Sequence, residues 1–249
     1  TENGKLYYKL SRNGKPILDK SRLGFILKED TLADHLEIIE VLHHSFSGTW
    51  EQIWGEDRIV ENNYHEMTIR VQERSAHKRK FNVVFRLFND GFGFRYEFPE
   101  QEALKDFVIM DELTEFALTG NHKAWSIPYE AHFYEALYET SPVSKLGWIS
   151  TPLTMETNDG LFLSIHEANL TDYAAMNLIP KEGRMTLKAN LTPWSTGEKV
   201  FMKAPGVTPW RTMIVAESAG DLLLSRLMLN LNEPCRIQDT SWIQPGRSI

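Results

Sequence analysis

The sequence is poor in the features that usually make chemistry easy to read. One cysteine, Cys235, among 249 residues excludes an internal disulfide and cannot hold a zinc ion alone. No run approaches the roughly 18 consecutive apolar residues of a membrane-spanning helix. Basic residues are in the minority: 27 Lys and Arg against 34 Asp and Glu give a net charge of −7. That is the wrong sign for a face that meets nucleic-acid phosphates. A phosphate-binding loop is missing as well, since Gly91-Phe92-Gly93 lies in a hairpin pattern with nothing helical after it. No nucleophile-elbow pentapeptide occurs, and Cys235, beside Pro234 after an apolar stretch, reads as a buried or inert thiol. Thr1 to Lys5 lacks the basic-plus-apolar pattern of a secretory leader, which leaves a cytosolic protein and a mature exported chain both open.

What is present suits a sizeable core: 42% hydrophobic and 11% aromatic residues exclude a disordered chain. The periodicity is that of strands. Leu6 to Leu10 and Lys15 to Leu18 flank Arg12-Asn13-Gly14, where Asn-Gly tolerates the positive φ of a tight hairpin. Met67, Ile69 and Val71 alternate with polar residues, as on a half-buried strand. Phe81 to Phe88 and Phe92 to Phe98 form a second hairpin around Asn89-Asp90-Gly91, and Leu153 to Glu156 with Leu161 to His166 a third around Thr157 to Gly160. Arg184 to Lys188, Lys199 to Met202, Thr212 to Ala216 and Leu227 to Leu231 are further strand candidates. Helix is scarce. Leu32, Leu36 and Ile39 have helical spacing, weakened by β-branched neighbours. Asp221 to Ser225 suits one helical turn with Asp221 as cap or dipole partner, and Glu130 to Glu139 is ambiguous. No linker or repeat divides the chain, and no long helices alternate with the strands. The expectation is one all-β domain over residues 1–249, a large antiparallel sandwich.

Chemistry-bearing residues are few and scattered. His43 and His44 are adjacent, so on a strand they point apart, and His122 and His132 lack partners at a useful spacing. His166-Glu167 ends an apolar strand and runs into a loop with Asn169 and Asp172. Their oxygens suit either part of a calcium site or a solvated strand end. Asp111, Glu112 and Glu115 read as a strand entry with a solvated face, and no two acids can be placed across a cleft. Seven tryptophans (50, 54, 125, 148, 194, 210 and 242) suit either core packing or stacking against sugar rings.

Several segments, in order, carry a more specific signal: Asn13 to Gly24 (NGKPILDKSRLG), Thr49 to Gly55 (TWEQIWG), Asp90 to Glu97 (DGFGFRYE), Asp111 to Phe116 (DELTEF), Thr151 to Gly160 (TPLTMETNDG) and Leu163 to Met176 (LSIHEANLTDYAAM). Thr208 to Thr212 (TPWRT) and Ala219 to Gly246, ending T-S-W-I-Q-P-G, complete the series. Together they resemble the amino-terminal region of glycoside hydrolase family 97, the bacterial α-glucosidases and α-galactosidases. The resemblance implies a galactose-mutarotase-like β-super-sandwich that precedes a catalytic (β/α)8 barrel in the same polypeptide. It places the catalytic acid and the base or nucleophile in that barrel, so no catalytic residue is assigned here and substrate-binding residues stay unknown. It further implies a calcium ion beside the substrate, held mostly by barrel glutamates, with one ligand from this region. The H-E-A-x-L-x-D-Y motif makes that ligand Glu167, with Asn169 and Trp210 as weaker candidates for the cleft edge. The implied partners are an oligosaccharide substrate and the carboxy-terminal barrel, and the implied location is the periplasm.

Three functions are therefore weighed. The first is the amino-terminal domain of an α-glycosidase, which supports the barrel and contributes to the active-site rim and calcium site. The second is a free-standing carbohydrate-binding module using the tryptophans. The third, on fold analogy alone, is a mutarotase-like epimerase with a His and Glu pair across the sandwich.

Overall fold

The computed structural model describes every residue except His132, Tyr134, Pro245 and 247–249. The histidine at 132 and part of the ambiguous 130–139 segment therefore lie outside the described residues. Strand dominates the regular structure and helix is confined to short segments, as expected. The first hairpin joins Leu6–Arg12 to Lys15–Leu23 through Asn13 and Gly14, whose φ values of 51° and 78° are those the Asn-Gly pair was expected to supply. The second joins Lys80–Phe88 to Gly91–Phe98, and the third Leu153–Glu156 to Phe162–Ala168.

These hairpins belong to a sandwich of one large layer and three small sheets. The large sheet has ten antiparallel strands. Its main path runs Glu139–Pro142, Lys123–Ser126, Leu153–Glu156, Phe162–Ala168, Trp210–Ala216, Gly91–Phe98, Lys80–Phe88, Ile59–Glu73 and Leu36–Glu51, and Gly206–Val207 pairs alongside Gly91–Phe98. The small sheets are the first hairpin, a four-stranded sheet containing Phe25–Leu27 and Asp106–Glu112, and another containing Thr186–Leu191 and Met176–Pro180. One continuous apolar core lies between the layers. Its centre is aromatic: Tyr8 meets Phe94 at 5.1 Å, Phe25 meets Tyr96 at 4.5 Å and Phe107 meets Phe98 at 4.9 Å between ring centroids. Each pair joins a small sheet to the large one. Gly91 is obligatory at its place, because a Cβ there would come within 2.3 Å of the Met213 carbonyl on the neighbouring strand.

Four expectations are corrected. The stretch from Leu36 is no helix but the start of a 16-residue strand, Leu36–Glu51. Its β-branched residues find cross-strand partners on Ile59–Glu73, including Val41 opposite Ile69, and that pairing outweighs an incidental helical spacing. Conversely, Leu227 to Leu231 is not a strand: Leu227–Asn230 is a short helix. Leu227 and Leu231, four residues apart, bury one helical face in a second apolar cluster with Val84, Trp210 and Ile214. A second short helix, Ala219–Leu224, starts near the expected turn, but its cap is Ser218. The Asp221 amide donates to Ser218 Oγ at 3.2 Å, and Ser218 Oγ donates to the Asp221 carboxylate at 2.7 Å, a reciprocal arrangement like a capping box. Cys235 is exposed, not buried.

Candidate functional site

The strongest concentration of buried charge lies where the strands Phe162–Ala168, Trp210–Ala216 and Asp106–Glu112 converge. Trp210–Ala216 is buried at every position, yet its second residue is Arg211. A guanidinium held in such a place requires acceptors for its fixed fork of donors. Glu112, from a small sheet, takes two of them, with Nε to Oε1 at 2.8 Å and Nη2 to Oε2 at 2.6 Å. Glu167 stands directly opposite Arg211 in the neighbouring strand and takes Nη1 on Oε2 at 2.6 Å. Its other oxygen accepts the Met176 amide at 2.9 Å. The Tyr173 hydroxyl donates to Glu112 Oε2 at 3.2 Å. The arginine and Glu112 side chains are 0% exposed and that of Glu167 is 6% exposed.

One cation thus serves two carboxylates, and it serves them unequally. Burial pushes both carboxyl groups up. For Glu112, the bidentate guanidinium and the hydroxyls of Thr114 and Tyr173 overcome that effect and hold it below the usual range. For Glu167, burial wins: its carboxyl stays above the usual range even though Arg211 and the Met176 amide pull it down. Burial likewise raises the Tyr173 phenol, so it remains a donor.

The loop after Glu167 continues the site to the surface. Asn169 and Asp172 both adopt positive φ, 55° and 49°, a conformation that asparagine and aspartate tolerate better than most residues. The Asn169 amide donates to Asn232 Oδ1 at 3.0 Å, and Asn232 Nδ2 to the Met228 carbonyl at 2.6 Å, so the carboxy-terminal segment anchors the loop. Glu167 therefore lies inside the site, whereas Asn169 lies at its outer edge.

Trp210 does not fit a cleft edge. It is 1% exposed, and its ring lies 4.6 Å from the Arg95 guanidinium and 4.9 Å from that of Arg86. The acids of D-E-L-T-E-F also differ from expectation, since Glu112 is wholly buried and Glu115 is buried against Lys181. Arg211, Glu112 and Tyr173 were missed as a group. The available signal was an arginine set in the apolar run T-P-W-R-T-M-I-V-A, which demands a buried counter-charge.

A calcium ion takes about six to eight oxygen ligands. Among the described residues, no group of three or more His, Cys, Asp or Glu side chains is placed to hold a metal ion. Both Glu167 oxygens already accept hydrogen bonds. Among the described residues, Glu167 therefore has no second acidic side chain, histidine or cysteine placed with it as part of a three-ligand metal group.

Comparison with known proteins agrees with this architecture. The chain is 38% identical to a glycoside hydrolase family 97 enzyme from Pseudoalteromonas sp. strain K8, with a TM-score of 0.95 over 98% of this chain and 38% of that one. It is 25% identical to a retaining alpha-galactosidase of Bacteroides thetaiotaomicron over 99% of its length, and 26% identical to a probable retaining alpha-galactosidase of Streptomyces bingchenggensis over the same share. It spans 41% and 37% of those two proteins. The family model described as "Glycosyl-hydrolase 97 N-terminal" matches residues 1–234, and the chain belongs to that family.

Proposed function

We propose that this chain is the amino-terminal domain of a longer α-glycosidase that hydrolyses α-linked galactosides or glucosides. The observation that carries this reading is the near-complete superposition on solved family 97 enzymes more than twice its length. Two such structures from strain K8 are complexes with panose and with acarbose, which supports an oligosaccharide as the substrate of the whole protein. In this reading residues 1–249 are a single domain that supports a carboxy-terminal catalytic barrel. The catalytic carboxylates belong to the barrel, and the Glu167 loop forms part of the active-site rim.

Calcium enters the proposal as the ion of the complete enzyme, with Glu167 as the ligand from this domain. Two features support Glu167 in that part: a carboxylate oriented by Arg211 and the Met176 amide, and a position at the edge of the buried cluster. Burial disfavours its charge, and a nearby cation would restore it. The location proposed for the whole protein is the periplasm. No helix among the described residues is long and apolar enough to cross a membrane.

The test compares this chain with the longer protein on aryl α-galactoside and aryl α-glucoside. Turnover only in the longer protein is expected, together with a calcium requirement that Glu167→Gln weakens. Turnover by this chain above background, lost on changing one of its own carboxylates, overturns the reading.

A further inference from the structure

Beside the Glu167 loop lie two pairs of aromatic rings, Trp194 with Phe201 in one slot and Tyr129 stacked on Trp148. Trp194 and Phe201 are 64% and 61% exposed, and both line an open slot of about 380 Å³ whose floor includes Tyr173. Thr192 lines the same slot, and its hydroxyl lies 3.5 Å from that of Tyr129. Tyr129 in turn stacks flat on Trp148, with centroids 4.4 Å apart and planes at 17°. Trp148 is tied down by its indole N–H, which donates to Asn177 Oδ1.

The polar groups of the slot decide what it suits. Lys199 points its ammonium at Asp111 and Asn190, each at 3.0 Å, and Lys188 pairs with the same Asp111 carboxylate, so the three groups leave one excess positive charge beside the slot. Asp172 lines the slot without an ion-pair or hydrogen-bond partner for its carboxylate among the described residues. That excess cation and the Asp172 carboxylate offset each other, so the slot favours a neutral ligand, and the carboxylate accepts hydrogen bonds from a pair of neighbouring hydroxyls. Trp194 and Phe201 are informative because they share one slot; rings exposed singly carry no such signal. Flat rings interleaved with single acceptors match a pyranose, with apolar C–H faces and polar edges.

We propose that Trp194, Phe201 and Asp172 form a subsite for one pyranose unit of a neutral oligosaccharide, with the Tyr129–Trp148 stack receiving the next unit. The subsite adjoins the buried cluster, because Tyr173 both floors the slot and donates to Glu112. A sugar seated here would therefore rest on the segment that positions Glu167.

The experiment is calorimetric titration of this chain with maltotriose and with raffinose, probes chosen on the glycosidase reading above. Binding in the millimolar range by at least one probe is expected, weakened about tenfold by Trp194→Ala. That variant should fold, because the turn is held by backbone bonds from the Trp194 amide to Glu198 and from the Gly197 amide to Trp194, and a thermal melt checks it. Trp54→Ala, an exposed ring lining a different cavity, should bind as the unaltered chain does. No binding of either probe, or equal loss in both variants, overturns the subsite. So does shielding of Trp194 from an aqueous quencher in the longer protein without sugar, which would mean that another part of the protein covers these rings. Absent binding with intact turnover in the longer protein removes the subsite alone. Trp194-dependent binding with no turnover in the longer protein removes the glycosidase reading alone.

Discussion

Arg211 and Glu112 lie in different sheets and meet fork to carboxylate, through hydrogen bonds of 2.8 and 2.6 Å, with neither side chain exposed to solvent. Glu167 meets the same guanidinium from within the large sheet. The two sheets are thus joined through a single cation at the point where the rim loop begins.

Removing the inter-sheet partner should cost more than removing the intra-sheet one. Glu112→Gln leaves the arginine with Glu167 as its only carboxylate and without a bidentate acceptor for two buried donors, and losing charge-assisted hydrogen bonds of this kind costs about 2–3 kcal/mol. Glu167→Gln keeps an acceptor for the Met176 amide and removes one of two carboxylates competing for one cation, so about 1 kcal/mol is expected. Urea midpoints at constant m-value measure both.

The two glutamates should also oppose each other in pH dependence. Glu112 is held below the usual value of 4.5, so its contribution is complete above that value and is lost as pH falls through its lowered pKa. Glu167 is held above 4.5, so the folded state keeps its proton more tightly than the unfolded chain. That contribution is present below 4.5 and is lost as pH rises through the raised pKa. Glu167→Gln should therefore gain stability relative to the unaltered chain as pH rises from 4.5 towards neutrality. Thermal melts over that interval would show the difference, and parallel curves would contradict it.

Trp210 should behave as a core residue. Its ring supports the cluster of Val84, Ile214, Leu227 and Leu231. Trp210→Ala should cost about 3–5 kcal/mol in unfolding free energy, while sugar leaves its fluorescence unchanged.

The lone thiol offers a simple probe of the carboxy-terminal segment. Cys235 is exposed and lines the groove beneath Trp50 and Trp54. It should react stoichiometrically with an aromatic disulfide reagent in the folded protein, without the delay of a global opening.

The strands were largely legible because their signals are local. Asn13-Gly14 encodes its own turn, and Phe81 to Phe98 alternates about a second. Leu227 to Leu231 was misread because five residues with apolar ends suit a strand as well as a helix, and only the shared face against Trp210 decides between them. Glu167 was marked by its motif, whereas the partners that define its chemistry were hidden. Glu112 lies 99 residues from Arg211 in sequence, and no periodicity connects residues on different sheets. Their pairing becomes visible only once the sandwich has closed.

The strand Leu36–Glu51 ends the path of the large sheet, and most of its residues are exposed, including Ile38, Ile39, Val41, Leu42 and Phe46. Its outer row of backbone donors and acceptors offers a ready template for another strand. The natural safeguards for such an edge are lysine, proline or a short span, yet this one runs for 16 residues without either residue type. Glu37, Glu40 and the bulge between Ile38 and Glu40 are its main defences. In concentrated solution this border is the expected site of strand-to-strand association of the isolated chain. A single lysine at Val41 would act there as a gatekeeper.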